Sequence, residues 1–181
     1  MHLWPKEVTS HLVEIVITQY DPTWPNAYAQ EKALIMSYLN KADVVDIQHF
    51  GSTSVPGLAA KPIIDIIVGL RQFELAANYV PLLEKGLNYS YSESLSVPGG
   101  RLFLQKSPWT HHLHLVEHGT EHWIKPIIFR DHLRVNEQAR LEYERLKKNL
   151  SITYRNNRAE YTKSKTDFVN RILENCTNEG R

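Results

Sequence analysis

One segment constrains this chain more than any other. Residues 63–69, IIDIIVG, form an almost wholly apolar run that carries a single charge, Asp65. Such a run is expected as a central strand with both faces covered. A carboxylate inside it is costly unless a cation, a metal or strong hydrogen bonds compensate. The sheet must therefore bring a partner to Asp65. The stretch just before it, HFGSTSVPGLAAKP, is rich in turn residues. A strand over 44–50 is expected to end at Phe50, and the chain then turns at Gly51. Gly51, Ser52, Thr53 and Ser54 place backbone N–H groups and three hydroxyls together, a pattern that can hold phosphate oxygens. Lys61 adds a positive charge, and His49 is expected to face the same pocket. A plainer reading fits the same residue types: a hydroxyl-capped turn, with Asp65 paired to a nearby Lys or Arg.

Periodicity supplies the remaining elements. HLVEIVI at 11–17 reads as a first strand. Asp21 is expected to cap a helix with Pro22 in its first turn. Trp24, Tyr28, Ile35, Tyr38 and Leu39 form its apolar stripe, and it should end near Asn40. A helix is expected over 72–85, and strands over 87–92, 101–106 and 111–117, with SVPGG at 96–100 as a turn. Asn136 is expected to cap a helix whose stripe is Ala139, Tyr143, Leu146 and Leu150. A last helix is expected over roughly 158–174, with a frayed tail after Cys176. The order of elements predicts one mixed α/β (α+β) domain over residues 1–181. It should hold a sheet of five or six strands, helices mainly on one side, and a C-terminal helical extension from about residue 136.

THHLHLVEH at 110–118 is the second dense signal. On a strand, His112 and His114 share one face, and an i, i+2 histidine pair can ligate a metal. Arg101 follows the SVPGG turn and is suited to bidentate anion contacts. Arg130 and Arg134 lie four apart in IIFRDHLR, on one face if that stretch is helical, with Asp131 on another. They could serve a pocket or a solvated surface; the apolar IIF favours the pocket for Arg130. Lys165 sits on the otherwise apolar stripe of the last helix. Trp109 could border the pocket.

Composition limits the options. Lys plus Arg number 21 against 20 Asp plus Glu, a net charge of +1, which argues against nucleic-acid binding by bulk electrostatics. No apolar run reaches the roughly 18 residues of a membrane span, and no signal peptide is legible at the start. Cys176 is the one cysteine, so no disulfide forms within the chain and a reducing cytoplasm is the expected setting. Oligomeric state is not legible.

HFGSTSVPGLAAKPIIDIIV, YDPTWPNAYAQEK, THHLHLVEHG, IIFRDHLR and EYTKSKTDFV together resemble the GrpB family, which is placed in the nucleotidyltransferase superfamily of DNA polymerase β. The resemblance spans roughly residues 14–173. It implies a nucleotidyltransferase-like mixed sheet and a pocket over it. There Gly51, Ser52, Thr53, Ser54, Lys61, Arg101 and Arg130 would contact a nucleotide or phosphorylated small molecule. In the superfamily, two carboxylates two apart on one strand hold two metal ions. Here Asp65 supplies the first, and Ile67 stands where the second belongs. The resemblance places His112 or His114 opposite Asp65. This implies a catalytic and metal-binding set of Asp65, His112 and His114 with Mg, Mn or Zn. Three functions stay open: metal-dependent nucleotidyl or phosphoryl transfer, a non-catalytic nucleotide- or phosphate-binding domain with a regulatory or partner-binding role, and an Asp/His metal-dependent hydrolase.

Overall fold

A computed structural model describes residues 14–179. Five strands form one mixed sheet: β1 (Val44–Phe50), β2 (Ile64–Leu70), β3 (Tyr89–Tyr91), β4 (Arg101–Lys106) and β5 (His111–Glu117), in the order β1-β2-β5-β4-β3. β2 and β5 run parallel, and every other neighbouring pair is antiparallel. The apolar run found in the sequence is thus a central strand.

Alternation along β2 dictates the layers. Ile64, Ile66, Val68 and Leu70 join Leu104, Leu113 and Leu115 on one face. Helices α1 (Trp24–Tyr38) and α2 (Ala76–Leu87) close over them with Trp24, Ile35, Tyr79 and Leu83. Burial of each such side chain contributes about 1.5–3 kcal/mol. The opposite face carries Ile67 and Val116, covered by Trp123 of α3 (Glu121–Val135). Helices therefore pack on both faces, not mainly on one as expected, because β2 is apolar on both. A further cluster joins Val55 and Leu58, from the loop before β2, to Leu133, to Tyr143 of α4 (Glu137–Thr153) and to Phe168 of α6 (Thr166–Glu179). That cluster seats the C-terminal helices beside the Gly51 loop.

Several expected boundaries differ. Of the strand predicted over 11–17, residues 11–13 lie outside the described residues and 14–17 are not a strand; Thr18 alone bridges to Ala60. α1 begins at Trp24, later than expected, because the Asp21 carboxylate is engaged by the Thr23 N–H and hydroxyl in the preceding turn. The predicted helix over 158–174 is two, α5 (Arg158–Lys163) and α6, separated at Ser164 and Lys165. α6 runs through Glu179, past the expected fray. Asn136 does cap α4, accepting the Ala139 N–H.

β1 is an edge strand, and side chains close its free edge. The Ile47 N–H donates to Asp46, the Ile47 carbonyl accepts from Tyr28 and Lys32, and the His49 carbonyl accepts from Arg130. An edge so occupied does not template another strand. Among the described residues no helix is long and apolar enough to cross a membrane.

Candidate functional site

The register of β1, β2, β5 and β4 arranges the face beneath α3 in three rows. The first reads Phe50, Asp65, His112, Gln105; the second Gln48, Ile67, His114, Phe103; the third Asp46, Gly69, Val116, Arg101. Asp65 and His112 are direct cross-strand neighbours, with His112 Nδ1 2.9 Å from Asp65 Oδ1. Gly51 adopts φ +68°, which favours glycine, and a Cβ there would collide with the Asp65 carboxylate. The turn is thus pressed directly against Asp65. Burial pushes the Asp65 pKa up, but the hydrogen bond and charge of His112, with the Lys61 ammonium, more than offset this and hold it below the usual carboxylate value. Asp65 is therefore ionised near neutrality, so the His112 Nδ1 must carry the proton. In a neutral ring Nε2 is then left as an acceptor.

His114 stands one row away beside Ile67. Its ring meets Phe50 and Phe103 edge-on, at centroid distances of 4.9 and 5.1 Å. Burial, with the Arg101 charge, lowers its pKa to about 3. The metal centre expected from Asp65, His112 and His114 is not formed: no three His, Cys, Asp or Glu side chains among the described residues are grouped to hold an ion. Aromatic rings enclose the third ligand, and one Asp65 oxygen is engaged by the second. The present donors do not fit a Mg, Mn or Zn site.

Positive charge comes instead from Lys61 in the loop before β2 and from Lys147 and Lys165 in the C-terminal region. Lys165 Nζ lies 4.4 Å and Lys61 Nζ 5.3 Å from the Tyr161 ring centroid. Lys147 is buried, donates to the Ala59 carbonyl at 2.5 Å, and lies 5.0 Å from the Tyr143 ring. Burial lowers all three amines: Lys147 to about 7 and Lys165 to about 8, each with repulsion from neighbouring lysines, and Lys61 below its ordinary value with the help of the Arg158 charge. Asp65 acts on Lys61 and Lys165 in the opposite sense. The Ser52 hydroxyl reaches the Tyr143 phenol. Arg158 lies over Trp109, 5.2 Å from its ring centroid, so that indole face is covered.

The structure therefore brings together Gly51, Ser52, Lys61, Asp65 and His112, with Lys165. Other expected residues lie elsewhere. Thr53 is buried, donating to the Ile63 carbonyl and meeting His49 Nε2 at 3.0 Å. His49 points to the α1 face, stacked on Tyr28, because odd positions of β1 face away from Asp65. The Ser54 hydroxyl is turned back on the Gly51 carbonyl at 2.6 Å. Arg101 stands in the third row, donating to the Leu95 carbonyl, and its Nε has no partner among the described residues. Arg130 is buried as expected but lies beside β1, donating to Gln48, to the His49 carbonyl and, twice, to Asp131. Asp131 was expected on another face from the arginines; its carboxylate bends back to pair with both Arg130 and Arg134. Sequence reasoning missed Lys147, Tyr161 and Arg158. The available signal was Lys147, four residues after Tyr143, inside the buried stripe of α4.

Five mixed strands between two helical layers, with a turn pressed on a carboxylate, define an α/β protein of the kind the motifs anticipate. Residues 14–175 match the GrpB protein family, and the chain belongs to it. It is 35% identical over 165 residues to the "Glutamate-rich protein GrpB" of Alkalihalophilus pseudofirmus, covering 88% of this chain and 94% of that one. It is 36% identical over 158 residues to a UPF0157 protein of Streptomyces coelicolor, covering 87% and 81%. The crystal structure of GrpB from Enterococcus faecalis superposes with a TM-score of 0.79 at 30% identity, covering 91% of this chain and 98% of that one.

Proposed function

We propose that the protein binds a nucleotide or another phosphorylated small molecule between the Gly51–Ser52 turn and the cluster of Lys61, Lys147 and Lys165. One observation carries this reading: Lys61, Lys147 and Lys165 converge near Tyr143 and Tyr161, with Asp65 the carboxylate that faces Lys61 and Lys165. Buried like charges repel, and desolvation adds to the cost. A phosphate placed among them would offset both. The turn beneath contributes the Ser52 hydroxyl and backbone N–H groups.

Group transfer is a second reading, favoured by the 2.9 Å contact between His112 and Asp65. Asp65 orients the imidazole, and Nε2 of the neutral ring can take a proton from a ligand hydroxyl. The donors do not fit a metal-assisted step.

A thermal-shift titration with ATP, ADP, AMP and inorganic pyrophosphate tests the binding reading. A ligand at a hundredfold its Kd stabilises by about 2.7 kcal/mol. The shift should vanish in Lys61→Met and in Lys165→Met. Asp65→Asn should keep binding but lose any turnover. If no phosphorylated compound shifts the wild-type protein, the reading fails.

A further inference from the structure

A cavity of about 580 Å³ opens on the other side of the turn, at the edge strand β1. Its wall holds Arg130, Arg134 and Arg140 with Tyr20, Tyr28 and Gln48, and no Asp or Glu lines it. None of Asp65, His112, Lys61, Lys147 or Lys165 takes part, so it is distinct from the site above.

The three guanidiniums are not equally occupied. Arg130 spends four of its five N–H groups on Asp131, Gln48 and the His49 carbonyl, and acts as a fixed positive charge. Arg134 gives Nε and Nη2 to the Ser54 carbonyl and Nη1 to Asp131, which leaves two N–H groups. Arg140 makes one hydrogen bond, at 3.5 Å to the Leu133 carbonyl, and stands 4.0 Å from an exposed Glu137, which leaves four. Asp131 is half-exposed and shared between two arginines. Asp131, Glu137 and Asp46, which accepts from Gln48, offset part of the positive charge, but the wall keeps unspent donors in the planar forks that suit carboxylate and phosphate oxygens. Tyr20, Tyr28, Pro25 and Pro56 add flat apolar surface beside them.

We infer that this cavity is a second anion site, built for a small molecule that joins a phosphate or carboxylate to a planar apolar part, with Arg134 and Arg140 as the ligating residues. The inference does not rest on the lysine site.

Phenyl phosphate and benzoate serve as probes, followed through the 1H–15N Nε resonances of the arginines and by calorimetry. The titrations are run on wild type, on Lys61→Met/Lys165→Met and on Arg140→Gln. Arg140→Gln removes only a marginal hydrogen bond, and an unchanged melting curve checks its fold. The expected result is saturable binding in wild type and in the lysine variant, weakened at least tenfold in Arg140→Gln, with the Arg134 Nε resonance moving on titration. Binding to phenyl phosphate but not benzoate identifies a phosphate-bearing ligand, and equal binding an anion of either type; both support the site. Binding that disappears in the lysine variant and is unchanged in Arg140→Gln overturns it while leaving the lysine site standing. Absence of binding to any of the proteins also overturns it.

Discussion

Gly51 and Asp65 are packed so closely that only a hydrogen fits between the glycine Cα and the carboxylate. Gly51→Ala would meet two costs: a side chain at φ +68° and a collision with Asp65. Each is worth ~1–3 kcal/mol, so chemical denaturation should show a loss of ~2–4 kcal/mol. In Gly51→Ala/Asp65→Ala the collision is gone and the backbone strain stays. The double variant should therefore be more stable than additivity of the two singles, by ~1 kcal/mol or more. Strict additivity would show that the two residues do not press on one another.

Acid should unfold the protein through its buried imidazoles. His49 is 6% exposed and its pKa is lowered by burial to about 4; His114 is lowered to about 3. Both rings stay neutral in the fold while they charge in the unfolded chain below about pH 6.5. The unfolded state then binds more protons, so stability is lost as pH falls from about 6.5 toward 4. For His49 alone the loss is on the order of 3 kcal/mol. His49→Phe keeps a ring against Tyr28 and removes the titration. Its melting temperature should fall less steeply over that window than the wild-type value; parallel curves would exclude His49 as a source.

The sheet was legible because β2 declares itself: an apolar run with one carboxylate has few alternatives to a central strand. Strand periodicity put His112 and His114 on one face, the family resemblance put one of them opposite Asp65, and the strand register selects His112. What stayed hidden was set by tertiary distance. Nothing local in Lys147 or Tyr161 shows that the C-terminal helices fold back over the Gly51 loop. Arg130 was read into the same pocket as Gly51, because spacing along a helix gives a face but not the strand edge it meets. His114 shares a strand face with His112, yet Phe50 and Phe103, from two other strands, decide its surroundings. The short segment 14–17 alternates well enough for a strand, but the β1 edge open to a sixth strand is closed by Tyr28, Lys32 and Arg130.

The lysine cluster extends the same pH trend to the alkaline side, where stability again rises with pH. Lys147 and Lys165 titrate in the fold near 7 and 8, against 10.5 in the unfolded chain. Between those values the unfolded state binds more protons, so stability should rise from about pH 7 toward 10. An anion bound among the amines would raise their pKa values again. Binding of ADP at pH 8 should then take up protons, read by calorimetry in buffers of different ionisation enthalpy. The uptake should fall in Lys147→Met. Binding without proton uptake would place the anion away from these amines.

Beneath the sheet, on the face away from Asp65, a second charged group is stabilised without a ligand. Glu31 of α1 is 4% exposed; it accepts from Lys106 Nζ at 2.7 and 2.8 Å and from the Tyr89 hydroxyl at 2.9 Å. Every donor around this carboxylate comes from β3 or β4, so the pair fastens α1 to the far edge of the sheet. Its net worth against an apolar pair is small, since desolvation of both ions opposes their attraction. Removing one partner is different. Lys106→Met leaves a buried carboxylate with Tyr89 as its one remaining hydrogen-bond donor among the described residues and should cost about 3–5 kcal/mol. Glu31→Leu/Lys106→Met removes both charges and should cost markedly less than the single Lys106 variant. Because Lys106 alternates to the face opposite Gln105 and His112, neither variant should change anion affinity at the lysine site while folded. A single Lys106→Met variant as stable as the double would mean that the pair does not bear on α1 packing at all.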